Sequence, residues 1–126
     1  MKVAAGIFRD GNMVLLMRRA QSQPLGGAWE YPGGKFEPNE SGPDCLRREL
    51  SEELGIDATI GKLITVAKMK LNPDKELELY AYEVLSYTGN ITLSVHDRQE
   101  WVSLTNLESH PQLPADLIIS RVLVSI

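Results

Sequence analysis

Three glutamates, Glu49, Glu52 and Glu53, stand at i, i+3 and i+4 in a segment that opens on the glycine pair Gly33-Gly34 and ends on Gly55-Ile56. At about 100° per residue their side chains leave one face of a helix within a single turn. Like charges at this spacing repel by a few tenths of a kcal/mol per pair, and crowding raises at least one carboxyl pKa unless a cation is near. A fold that keeps such a face has to hold the helix from another side. Leu46, Leu50 and Leu54 recur every four residues and give that hold, an apolar stripe beside the acidic one. Ser41 with Asp44 three residues on reads as a capping box, Pro43 falls in the first turn, and Gly55 suits the left-handed position after the last. The expected helix spans residues 42–54. Arg48, one turn before Glu52, is placed to pair with a carboxylate and fix its rotamer. Hard oxygen donors at this density suit magnesium or manganese.

Strands are expected around the helix. Residues 2–9 and 13–19 are apolar-rich and separated by Asp10-Gly11-Asn12, a hairpin signal. A loop at 20–28 leads to a short strand, Trp29-Glu30-Tyr31, and then to a turn at Pro32-Gly33-Gly34. Residues 58–70 and 76–87 read as two strands joined at Asn72-Pro73-Asp74-Lys75, with Leu77, Leu79 and Ala81 alternating against Glu76, Glu78 and Tyr80. A further short strand is expected at 100–104, then an acidic turn, and the segment 117–126 is assigned to a helix beginning after Asp116.

The pattern G-x5-E-x7-R-E-U-x-E-E-x-G-U, with U an aliphatic residue, is filled without a gap by Gly34, Glu40, Arg48, Glu49, Leu50, Glu52, Glu53, Gly55 and Ile56. On these residues the chain is identified as a member of the Nudix hydrolases. The resemblance implies an α/β/α sandwich with a mixed, curved sheet between helices, and a magnesium-dependent hydrolase of a nucleoside diphosphate linked to a further group. It implies Glu49, Glu52 and Glu53 as metal ligands, with the Gly33 carbonyl a further one and one glutamate taking the proton from water. Arg48 and Glu40 resemble the pair that stabilises the loop–helix–loop. Which glutamate is the base stays open.

Outside that stretch, Leu16-Met17-Arg18-Arg19-Ala20 and Trp29-Glu30-Tyr31-Pro32-Gly33-Gly34-Lys35 resemble the MutT-like branch, which acts on nucleoside triphosphates and releases pyrophosphate. In that branch, residues at the places of Arg19 and Lys35 lie near the substrate; the alternative for each is a solvated surface cation, and for Arg19 the two readings weigh evenly. Leu113-Pro114-Ala115-Asp116 resembles the ending of cytidine triphosphate pyrophosphohydrolases, where relatives preferring oxidised guanine hold asparagine. An ionised carboxylate only accepts hydrogen bonds, which suits the exocyclic amino group of cytosine. Asp116 is also a natural N-cap, and guanine's N1–H and N2 amino group could satisfy it too, so an oxidised guanine triphosphate remains an alternative. Trp29 and Tyr31 read as packing residues or as platforms for a base.

One position departs from the family. Many relatives carry a loop glutamate followed by histidine shortly before the strand tryptophan; ahead of His96 this chain has Val95, with Asp97 the nearest replacement and Glu100 assigned to the strand. His96 is read as an ordinary loop residue. The departure keeps a second class of function open, a nucleotide-binding sensor with weak turnover.

With 126 residues the chain is expected to form one domain. Its net charge of −4 argues against coating a nucleic-acid polymer. The lone Cys45 is given no role and fits a reducing cytosol, and no signal segment or membrane span is read, so a cytoplasmic monomer or homodimer with a small-molecule nucleoside triphosphate as its partner is expected.

Overall fold

The computed structural model describes all 126 residues. β1 (Lys2–Asp10) and β2 (Met13–Arg19) form a hairpin that turns through Gly11, whose φ of 59° lies in the left-handed region glycine tolerates. The two strands pair only near the turn, Arg9 with Val14 and Asp10 with Met13. They then diverge. On the edge of β1 thus freed, β4 (Gly33–Lys35) pairs antiparallel with Val3–Ala5, while β3 (Trp29–Glu30) and β7 (His96–Ser103) flank β2. The opposite edge of β1 runs parallel to β6 (Lys75–Thr88), whose antiparallel partner is β5 (Asp57–Asn72). Register shifts along β5 bend that hairpin. The sheet is therefore mixed, in the order β3-β2-β1-β6-β5 with β4 and β7 attached.

Each face carries one helix. The period of two along β2 sends Leu15 and Met17 to one side and Val14 and Leu16 to the other. On the first side lies α1 (Gly42–Leu54), buried through Cys45, Leu46, Leu50 and Leu54 against Phe8 and Ile56. Burial of each leucine contributes about 2 kcal/mol. Ser41 Oγ accepts the Asp44 N–H at 3.2 Å, and Gly55 closes the helix at φ 71° with its N–H on the Ser51 carbonyl. The helix occupies the span its sequence predicts, and the α/β sandwich with a mixed sheet is the expected architecture. On the second side α2 (Pro114–Ser125) packs Ala115, Ile119 and Leu123 on Trp29, Tyr31 and Val102. No helix is long and apolar enough to cross a membrane.

Several expectations need correction. Gly33-Gly34 is not a turn but an extended strand. Its glycines answer to close approach: a Cβ on Gly33 would overlap the Ala4 carbonyl, and one on Gly34 would overlap the Glu49 carboxylate. β7 begins at His96 rather than at residue 100, and its continuation is a 3₁₀ turn, Leu104–Ser109, capped by Ser103. α2 starts three residues early, with Pro114 in its first turn and Leu113 at the N-cap position without a side-chain bond. Asp116 is thus inside the first turn and does not cap the helix.

Candidate functional site

The acidic face of α1 looks toward β4 and the end of β2, and Arg48 organises it. Its Nε and Nη2 make a two-pronged contact with Glu40 at 2.8 and 3.0 Å, Nη1 reaches Glu49 at 2.8 Å and Glu52 at 3.2 Å, and Nη2 also donates to the Lys35 carbonyl at 2.9 Å. One guanidinium therefore ties the helix to the loop before it and to β4. The fork holds Glu40 at a pKa of about 2, helped by the Glu37 N–H, and the same partners raise Arg48 above its ordinary value.

Glu53 lacks such a partner. Burial, then the charges of Glu49 and Glu30, push its carboxyl up to about 8. No three carboxylate, histidine or cysteine groups already converge on a common point, because Arg48 draws Glu49 and Glu52 toward itself. The chemistry of the set still fits a divalent cation. Its members are hard oxygens, and Glu53 is crowded by negative charge that Arg19 only partly offsets.

Glu30 is the residue that sequence reasoning misses. In Trp29-Glu30-Tyr31 the two aromatics point into the α2-side core, so Glu30 projects to the α1 side. There Arg19 Nη1 meets its two oxygens at 3.3 and 3.1 Å while Arg19 Nε donates to the Pro24 carbonyl at 2.8 Å, and His96 Nε2 lies 2.8 Å from Glu30 Oε2. His96 is thus no loop residue: it opens β7, its side chain is fully shut from solvent, and its Nδ1 has no partner. A charged residue flanked by two aromatics in a short strand is the signal that could have found Glu30.

The Val95 position contributes backbone alone, its carbonyl accepting the Ala20 N–H at 3.1 Å. Asp97 does not stand in for it. The β2–β7 register passes from Arg18↔Arg98 to Arg19↔His96, leaving Asp97 as the extra residue of a bulge, where Arg18 binds it at 2.8 Å and lowers its pKa. Glu100 lies in β7, 3.3 Å from His110.

Asp116 sits on the α2 side, 5% exposed, with Oδ1 accepting the Tyr31 N–H at 3.0 Å. Burial raises its carboxyl to about 7 against the opposing pull of that N–H. Behind it Tyr31 Oη, Ser120 Oγ, Gln112 and the Leu107 carbonyl form a chain of hydrogen bonds, which fixes α2 against β3. Trp29 and Tyr31 are buried, so both pack rather than offer a face to a base. Lys35 is exposed at the end of β4. Cys45 is buried and its thiol is pushed up to about 12, which leaves it inert. The largest cavity, about 840 Å³, lies elsewhere, between Ile7, Leu63, Val84, Leu123 and Ile126. Glu83 is its only carboxylate side chain, set beside Arg9 and Lys62, so charge rather than volume locates the site.

Known proteins resemble the chain over most of its length. Residues 1–122 match the NUDIX domain. The chain is 39% identical over 115 residues to the CTP pyrophosphohydrolase of Escherichia coli, covering 91% of this chain and 84% of that protein. It is 37% identical over 91 residues to the 8-oxo-dGTP diphosphatase of Proteus vulgaris, covering 71% and 80%. Among solved structures, the solution structure of the E. coli ORF135 protein superposes with a TM-score of 0.87 at 31% identity, over 98% of this chain and 88% of that one.

Proposed function

Because the chain belongs to the Nudix hydrolase family, we propose that it is a magnesium-dependent nucleoside triphosphate pyrophosphohydrolase that releases a nucleoside monophosphate and pyrophosphate, with cytosine or modified cytosine nucleotides as preferred substrates. The observation that carries the reading is the α1 face, where Glu53 stands at a pKa of about 8 beside Glu49 and Glu30. Such a face costs stability until a cation neutralises it.

Glu49, Glu52, Glu53 and the Gly33 carbonyl would hold magnesium, which supplies charge neutralisation on phosphate oxygens. The chain's own residues do the rest. Arg48 keeps the helix and the Lys35 backbone in register, which holds the acidic face and the glycine strand side by side. A carboxylate of this face takes the proton from the attacking water; Glu53, the one of the three that Arg48 does not hold, is best placed for that task. Lys35, which is free, and the uncommitted Nη2 of Arg19 are the cations available to the triphosphate.

Base choice rests on Asp116. Its second oxygen is the acceptor for the cytosine amino group, while Tyr31 N–H anchors the first. The E. coli relative named CTP pyrophosphohydrolase supports this reading. An oxidised guanine triphosphate is the second reading: guanine offers two adjacent donors to the same carboxylate, and relatives named 8-oxo-dGTP diphosphatase support it. A panel of ordinary and oxidised nucleoside triphosphates, assayed for pyrophosphate release with magnesium, decides between them. Cytosine nucleotides are expected to give the highest kcat/KM. Dominance of oxidised guanine would transfer the assignment to the second reading, and thermal protection without any turnover would favour the sensor.

A further inference from the structure

We propose that His96 is a positioning residue that acts through Glu30: its Nε2–H, together with Arg19, locks the Glu30 carboxylate beside the acidic face of α1. The proposal rests on the hydrolase reading above but not on the choice of base.

Packing does not account for a histidine here. The side chain is wholly enclosed, yet Nδ1 finds no partner. Leaving a buried polar atom unsatisfied costs stability that an apolar side chain of similar volume would keep. Opposite a carboxylate that can only accept, Nε2 is the nitrogen that carries the proton, and this fixes the tautomer and leaves Nδ1 the orphan. What the histidine supplies in return is one directed N–H on Glu30.

The backbone is shaped to deliver it. Without the bulge at Asp97, strict alternation would set Asp97 opposite Arg19, and a second carboxylate would face Glu30. The extra residue turns Asp97 out to Arg18 and brings His96 into line with Arg19 instead. Bulges that re-aim a side chain in this way recur next to active sites.

Glu30 needs the second holder. A half-buried glutamate loses rotamer freedom to stay in one orientation. Arg19, its other partner, is itself a long side chain, with Nε committed to the Pro24 carbonyl and Nη1 shared between both Glu30 oxygens at more than 3 Å. The shorter contact is the one from His96. Burial of Trp29 and Tyr31 on the α2 side turns Glu30 to the side of α1, where the three glutamates lie, so its orientation is felt there. Asp116 lies on the opposite side of the sheet with its own anchor on the Tyr31 N–H, so a loosened Glu30 disturbs the hydrolytic step more than base binding.

The test is a double-mutant cycle with His96→Leu and Glu30→Gln, run on whichever nucleoside triphosphate the wild-type protein turns over best, with His96→Gln as the conservative variant. His96→Leu is expected to lower kcat about tenfold with KM changed less than about threefold, while stability to urea equals or exceeds wild type because the orphan nitrogen is gone. His96→Gln, which can place an N–H at similar reach, should restore most of kcat. In the Glu30→Gln background the His96→Leu effect should shrink below about twofold. An unchanged kcat in His96→Leu overturns the proposal, and so does a fall of equal size in both backgrounds. A second measurement needs no turnover: the carbon-13 resonance of the Glu30 carboxyl should move in His96→Leu and return toward wild type in His96→Gln, and a resonance that stays put refutes the contact. A change of preferred base leaves the cycle intact. If no triphosphate is hydrolysed the functional reading fails, while the carboxyl resonance still decides the role of His96.

Discussion

Replacing Asp116 by asparagine should make the protein's stability less sensitive to pH. Folding raises this carboxyl from 3.8 to about 7, chiefly by burial. The folded state therefore binds the Asp116 proton more tightly than the unfolded chain does. Stability falls as pH rises from 3.8 through 7, and the loss levels off above that. A shift of about 3 units sets a ceiling of about 4 kcal/mol, at 1.36 kcal/mol per unit. Local relaxation and water reaching the part-open second oxygen reduce this to about 1–2 kcal/mol. Asparagine keeps the geometry, since its Oδ1 still accepts the Tyr31 N–H, and it has no charge to bury. Urea unfolding of both proteins at several values between pH 4.5 and 7.5 gives the difference in stability. The variant should gain about 1–2 kcal/mol on wild type across that range, with the other titrating groups cancelling in the comparison. Parallel curves would refute the argument, because they would mean that the carboxyl is as well solvated folded as unfolded. The same variant, tested on the nucleotide panel, should change base preference more than overall rate.

Glu53→Gln should lower kcat at least about a hundredfold, measured as pyrophosphate release, and should diminish the rise in Tm that magnesium gives the wild type; a near-wild-type rate would remove Glu53 from the mechanism. Gly33→Ala should destabilise by about 2–4 kcal/mol in urea, since the new methyl meets the Ala4 backbone and β4 must leave β1. An unaltered midpoint would show that the strands separate freely. Glu40→Gln should flatten the acid limb of the stability curve. The Glu40 carboxyl is lowered from 4.5 to about 2, so what it contributes is present above 4.5 and lost as pH falls toward 2. Acid titration followed by circular dichroism gives the comparison, and an identical acid midpoint in the two proteins would count against the Arg48–Glu40 pair.

Local signals made α1 legible to the residue. Ser41, Pro43, the leucine stripe and Gly55 all act within one or two turns, and all agree. The Asp10-Gly11-Asn12 and Asn72-Pro73-Asp74-Lys75 turns are legible for the same reason. Elsewhere the deciding partner is far along the chain. Gly33 looks like a turn until Ala4 is seen against it, and nothing near residue 33 announces that approach. The start of β7 is hidden by a bulge that exists only because β2 lies alongside. Asp116 has the chemistry of a cap, but Pro114 fixes the helix start ahead of it, and Tyr31, 85 residues away, takes its oxygen. The carboxylate face of α1 is written in sequence spacing, whereas the Glu30–His96 contact spans 66 residues and exists only in three dimensions.

The strand that opens the chain is bonded to three later strands, β2, β4 and β6. Residues 2–8 need residues 78–84 beside them, and residues 3–5 need 33–35. During synthesis, then, β1 emerges long before its parallel partner and must wait for it while the β5–β6 hairpin, whose strands are neighbours in sequence, can close early. Until β6 is made, neither helix has a complete sheet to rest on. The order of assembly is thereby set against the order of translation, with the first segment made among the last to be locked.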